Sequence, residues 1–195
     1  AGYMADEILV ADGAVYVERD LHVTLEASRE MIQRGEGSKE QYATTNLVGS
    51  SVTKICINPT SAFNSYTRLS QGLDLAIANY NALGLRIYFA RGPTTGCTAN
   101  ISARTMSGTG GSAGFPSGGK PYPTINIGTG LNSYSVDVNE HVITHELGHA
   151  IGLLHTDLGG GCGGTSGGVG RTPIPGTPTW DPLALMNSCF SSGPT

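Results

Sequence analysis

The chain has 195 residues, enough for one well-buried core or for two lobes around a cleft. With 38 % hydrophobic residues, 13 % charged residues and 29 glycines, it describes a folded, loop-rich globular protein and not a disordered one. A net charge of −4 without any basic run excludes the phosphate-neutralising stripe of a nucleic-acid binder, and no stretch reaches the ~18 apolar residues of a membrane span.

In chain order, "AGYMADEILV" has neither the basic start nor the apolar run of a signal peptide. Residues 14–26, "AVYVERDLHVTLE", mostly keep a period of two through Val15, Val17, Leu21, Val23 and Leu25, which predicts a strand, with a short polar helix after it. "RGEGSKEQ" (34–41) is charged, contains glycine and has no apolar residue, so it predicts an exposed linker open to proteases. "SVTKICIN" (51–58) reads as a buried strand. In "YTRLSQGLDLAIANYNALG" (66–84), Leu69, Leu73, Ala76, Ile77, Tyr80 and Leu83 recur at helical spacing, with Gly84 as the stop. Further strands are predicted in 85–90, 100–106 and 122–128, between Gly-rich turns. A second long helix begins near Asp137, with Glu140 three residues on as in a capping box, and runs into "HELGHAIGLLH" (145–155). Residues 158–181 are rich in Gly, Pro and Thr and predict little regular structure. Strand, helix and then several strands describe an α+β fold with a mixed sheet.

Cys56, Cys97, Cys162 and Cys189 form no CxxC pair, so two disulfides in a secreted protein whose signal has been removed are the simplest use. Of the three possible pairings, Cys56 with Cys97 and Cys162 with Cys189 is favoured, because each then staples one half of the chain.

The chemistry concentrates in "HELGHAIGLLH". On a helix, His145 and His149 lie about 40° apart on one face, so both imidazoles can reach one metal ion. Ile143, Leu147, Ala150, Ile151 and Leu154 cluster on the opposite face and can pack a core. His155 would point about 120° away after about 9 Å of further rise if the helix ran on, so the chain must turn. Gly152 stands where that turn is required. Three imidazoles then leave a fourth position open for water, as in catalytic zinc sites, and Glu146 is the carboxylate placed to take the proton of that water. A bare HExxH recurs by chance; Gly152 and His155 complete the far more specific HExxHxxGxxH.

That long motif resembles the signature of the metzincin clan of zinc endopeptidases, and "DPLALMNSC" (181–189) supplies Met186 for the clan's methionine turn beneath the zinc. Together with "AGFPSGGKPY" and "IPGTPTWDP", these stretches are similar to secreted bacterial peptidases named for a HEIGH motif, of myxobacterial type. The resemblance implies a twisted mixed five-stranded sheet with two long helices, and a small irregular C-terminal subdomain carrying the Met-turn. It also implies a substrate-binding edge strand in or near 110–115. Asn187 and Ser188 stand where astacins and serralysins place a tyrosine, so no tyrosine ligand is expected. Asp157 is expected to be a structural carboxylate near the site and not a ligand. "VYVERDLHV" (15–23) resembles the astacin pro-segment pattern FxGD, with Arg19 in place of glycine, which makes Asp20 a zinc ligand of a latent form. Read without the resemblance, the same residues also suit a plain N-terminal strand with a solvated Asp20, and His22 reads as an exposed strand residue.

The expected organisation is 1–40 as an inhibitory pro-segment and exposed linker, 41–152 as the catalytic subdomain with the zinc-binding helix, and 153–195 as the small Met-turn subdomain. The expected function is a secreted, monomeric zinc endopeptidase with one catalytic Zn²⁺, acting on proteins or peptides and binding neither nucleic acid nor membrane. Its alternative is a catalytically idle zinc module that uses the cleft for protein recognition. The Gly-rich loops show no recognisable calcium-ligand pattern.

Overall fold

The computed structural model describes residues 3, 5, 8–18, 20–32, 42–156, 171–178, 181 and 183–188. The linker 34–41, Asp157, Cys162 and Cys189 lie outside the described residues. The alternation predicted as one strand over 14–26 forms two short strands, β2 (Ala14–Val17) and β3 (Leu21–His22), and β1 (Ile8–Ala11) precedes them unpredicted. Left-handed backbone is the reason: Asp12 (φ 51°) turns β1 into β2, and Glu18 (φ 54°) ends β2. Helix α1 (Leu25–Ile32) follows, its first turn capped by Thr24, whose Oγ1 accepts from the Ala27 amide.

Past β4 (Tyr42–Thr44), strand β5 (Lys54–Pro59) leads through the short α2 (Ser61–Ser65) into α3 (Thr67–Ala82). Strands β6 (Tyr88–Arg91), β7 (Ala99–Met106), β8 (Gly111–Gly114) and β9 (Thr124–Gly128) precede α4 (Val136–Ile151). The sheet order is β1-β2-β3-β8-β9-β7-β5-β6. β9, β7, β5 and β6 run parallel, while β8 is antiparallel to β9. The five strands from β8 to β6 are thus extended to eight, because β3 pairs in parallel with β8 through Leu21↔Ala113 and His22↔Gly114.

The main core joins Ile55, Ile57, Phe89, Ile101 and Ile125 of the sheet to Leu69, Leu73 and Tyr80 of α3 and Ile143 and Leu147 of α4. The Tyr80 hydroxyl donates to the Thr144 carbonyl at 2.9 Å and ties the two helices together. Cys56 is joined to Cys97, with 5.7 Å between Cα atoms, linking β5 to the chain entering β7.

Two local expectations are corrected. α4 is capped by Ser135, whose hydroxyl accepts from the Val138 amide, which leaves Asp137 inside the first turn. Glu140 instead accepts a hydrogen bond from Asn79 of α3. β10 (Arg171–Pro173) lies in the stretch expected to be irregular, and pairs antiparallel with β4. Its partner comes from a distant part of the chain, so local composition carries no sign of it. α4 itself is buried on every side from Val142 to Ala150 and not along one stripe alone, because the N-terminal segment and the turn around Leu185 cover its polar face.

Candidate metal centre

His145 and His149 stand one turn apart on α4, and the helix ends at Gly152 with φ 115° and ψ 11°. The Gly152 amide donates to the carbonyls of Gly148 and His149, a left-handed closure that glycine makes without a Cβ penalty. Beyond it Leu154 turns inward, only 2 % exposed, and His155 comes back beside the other two rings.

The three Nε2 atoms converge. His145 and His149 are 2.9 Å apart, His145 and His155 3.1 Å, and His149 and His155 3.2 Å. The other ring nitrogens are each engaged. His145 Nδ1–H donates to the Leu185 carbonyl and His149 Nδ1–H to the Leu153 carbonyl, both at 2.9 Å, and His155 Nδ1 faces Glu18 Oε2 at 3.0 Å. With their Nδ1–H groups donated to backbone carbonyls, His145 and His149 aim Nε2 lone pairs at the centre beside His155 Nε2, an arrangement that favours a cation among them. Nitrogens held 2.0–2.1 Å from a tetrahedral zinc stand about 3.3 Å apart, close to the spacing found here.

Asp20 completes the group. Its Oδ2 lies 3.4 Å from His155 Nε2 and 3.9 Å from His145 Nε2, and the four ligand atoms all fall within 4.8 Å of one another. Two buried oxygens at the site, Asp20 Oδ1 and Glu146 Oε2, have no hydrogen-bond partner among the described residues. Orphaned acceptors beside convergent imidazoles fit a metal ion.

Charge follows the same geometry. Burial and the neighbouring His155 push His145 down to about 4, and burial holds His149 well below the usual range. Burial opposes charge on His155 too, but hydrogen bonds and charges from Asp20 and Glu18 outweigh it and raise the ring to about 10. Asp20 is lowered, because the three histidines overcome its desolvation. Burial, assisted by the Asp20 charge, raises Glu146 well above the ordinary carboxylate range.

Glu146 packs against β8: a Cβ on Gly111 would fall 2.2 Å from its Oε1, so β8 passes the carboxylate only as bare backbone. An open cleft lies here between Thr109, Gly111, His141, Glu146, Asn187 and Ser188. Beneath the histidines, Met186 is buried with its Sδ against Gly148, and its carbonyl accepts from the Thr156 amide at 2.9 Å. Asn187 Oδ1 accepts from the Thr156 hydroxyl at 2.7 Å, which fastens the same turn to the chain after His155.

Glu18 was not foreseen as a site residue. Nothing in the local sequence marks it, because the left-handed backbone at Glu18 (φ 54°) that ends β2 breaks the strand period between it and Asp20. His22 is half-buried and not exposed: its Nδ1 and the Tyr122 hydroxyl share a hydrogen bond of 2.5 Å.

The profile of the dual-action HEIGH metallopeptidases matches residues 15–195. Among curated proteins, none matches the sequence. Among solved structures, myroilysin is similar at 18 % identity over 59 % of this chain and 55 % of its own, with a TM-score of 0.44. High choriolytic enzyme 1, a hatching enzyme zinc-protease from Oryzias latipes (medaka fish), is similar at 20 % identity over 56 % of this chain and 48 % of its own, with a TM-score of 0.37. The chain therefore spans about half the length of these structures.

Proposed function

The chain belongs to the dual-action HEIGH metallopeptidase family, and from that premise we propose that it is a secreted zinc endopeptidase kept latent by its own N-terminal segment. His145, His149 and His155 would hold the zinc, and Asp20 would be the fourth ligand of the latent form. Zinc bound there supplies a Lewis acid that polarises the scissile carbonyl and eases deprotonation of water. Glu146 takes the proton of the attacking water and delivers it to the leaving amide nitrogen. Burial raises its carboxyl well above the ordinary carboxylate range, which makes it a stronger base than an exposed carboxylate. The bare edge of β8 receives an extended substrate by strand addition.

The observation that carries this reading is a double occupancy. Asp20 Oδ2 joins the three Nε2 atoms within 4.8 Å, while β3, which begins at the next residue, pairs with the β8 edge. One segment thus covers both the metal site and the substrate strand position. Residues 1–40 act as the inhibitory unit, 41–152 as the catalytic subdomain and 153–195 as the Met-turn subdomain, with activation by cutting in 34–41. The Cys56–Cys97 bridge supports an oxidising, extracellular setting. Among the described residues, no helix is long and apolar enough to cross a membrane.

The test compares casein digestion by wild type and Asp20→Ala before and after cleavage of the linker. The uncut wild type is expected to be inactive and the uncut Asp20→Ala chain active. Equal activity of cut and uncut forms in both chains removes the latency reading. Zinc-loaded, cut protein that digests nothing favours the idle recognition module instead.

A further inference from the structure

We propose that Glu18 is a positioning residue for the metal: it holds the third ligand, His155, through Nδ1, so that the uncut chain keeps its zinc more tightly than the activated one. This rests on the reading that His145, His149 and His155 hold the zinc and that the N-terminal segment leaves on activation. The three imidazoles are supported unequally. His145 Nδ1 and His149 Nδ1 each meet a backbone carbonyl at 2.9 Å, those of Leu185 and Leu153, which belong to the body of the protein. His155 Nδ1 instead meets Glu18 Oε2 at 3.0 Å, and among the described residues no group of 41–195 hydrogen-bonds that nitrogen. The third ligand therefore takes its outer support from the N-terminal segment.

The local fold of the segment is arranged around that contact. The Val17↔Leu21 pair closes the connection from β2 to β3, and both of these residues are buried. Glu18 and Asp20 lie in that connection and bracket a single ring, with Glu18 Oε2 at Nδ1 and Asp20 Oδ2 3.4 Å from Nε2 of His155. Glu18 has left-handed backbone, φ 54°, which a residue with a Cβ keeps only where its surroundings impose it. Its side chain and that of His155 are each 1 % exposed, a depth at which a carboxylate needs a polar partner. A carboxylate accepting from Nδ1–H keeps the imidazole in the tautomer that offers Nε2 to a metal, and fixes the direction of the ring. Loss of such an outer partner weakens metal binding about 10–100-fold.

The experiment uses the full chain loaded with zinc, and reads zinc affinity by competition with a chelator. Uncut Glu18→Ala and Glu18→Gln are expected to bind zinc about 10–100-fold less tightly than the uncut wild type. Wild type cut in 34–41 and freed of its N-terminal piece is expected to bind it at least about tenfold less tightly than uncut Asp20→Ala, which lacks only the fourth ligand. NMR of the ring N–H groups in the zinc-loaded chains supplies a readout that general loosening does not mimic: the His155 Nδ1–H signal is expected to move in Glu18→Gln while those of His145 and His149 stay. If Glu18→Ala does not fold, the near-isosteric Glu18→Gln carries the test. Unchanged zinc affinity in Glu18→Gln overturns the proposal and leaves the latency reading intact. A fall in affinity with all three ring signals displaced marks detachment of the whole segment, and overturns the specific role of Glu18. Equal affinities of the cut wild type and uncut Asp20→Ala overturn it as well, because His155 then takes nothing further from the segment. Equal peptidase activity of cut and uncut wild type removes the latency reading, while the zinc affinities still decide the role of Glu18.

Discussion

Ile57 in β5 and Leu21 in β3 are both 0 % exposed, but they are buried by different kinds of neighbour. Around Ile57 the main core is assembled wholly from residues 52–150, from the sheet, α3 and α4. Around Leu21 the cluster is shared, with four members on the N-terminal segment and only Phe115 and Leu154 on the body. Among the described residues, the polar ties of the segment include β3 on β8, the His22–Tyr122 hydrogen bond, the Ala27 carbonyl accepting from Asn46 Nδ2, Glu30 accepting from the Gly118 amide, and the Asp20 and Glu18 carboxylates at the histidines. Complete burial therefore rests on the body alone in one region and on contacts shared between segment and body in the other.

The largest expected effect separates chemistry from both regions. Glu146→Gln is expected to lower peptide hydrolysis by the cut chain about 10²–10⁴-fold. Zinc content by elemental analysis and melting temperature are expected to stay at wild-type values, and a loss of zinc would show that Glu146 serves the metal instead of the water.

The comparison is sharpened by the same kind of deletion in each region. Ile57→Ala is expected to cost about 2–5 kcal/mol and to lower the melting temperature of cut and uncut chains alike. Leu21→Ala is expected to leave the cut chain unchanged, because the residue is no longer there, and to appear as added activity in the uncut chain. Equal losses of stability from both substitutions, with no gain of activity, would break the comparison.

A smaller effect is expected at the hinge between helix and third ligand. Gly152→Ala forces a side chain into φ 115°, at about 1–3 kcal/mol, and the Cβ would meet the Asn46 carbonyl at 3.0 Å. Denaturant unfolding measures the first, and competition with a zinc chelator measures the accompanying displacement of His155. The smallest effect belongs to the exposed Arg91–Asp74 pair, 2.8 Å apart with Asp74 60 % exposed. Asp74→Asn is expected to shift stability by less than about 0.5 kcal/mol, within the error of a denaturant midpoint.

The metal motif could be read from sequence because its geometry is local. Helical period relates His145 to His149, and one glycine turns His155 back, so eleven residues bring three imidazoles to one point. α3, the parallel strands and the Cys56–Cys97 bridge were similarly accessible from apolar periodicity and spacing. The break at Glu18 was not, since a left-handed acidic residue inside an alternating run has no local marker. The pairing of β4 with β10 was hidden because each strand is three residues long and satisfied only by the other.

Sequence alone determined the α+β class, the two long helices and the HExxHxxGxxH constellation, because period, capping and ligand spacing act over a few residues. The pro-segment resemblance pointed to Asp20, but tertiary structure alone decided that β3 docks on β8, that Glu18 reaches His155, and that Leu21 joins Phe115 and Leu154 in one buried cluster. Those contacts depend on the registry of segments far apart in the chain, and that registry is selected by packing and edge pairing, which no local pattern encodes.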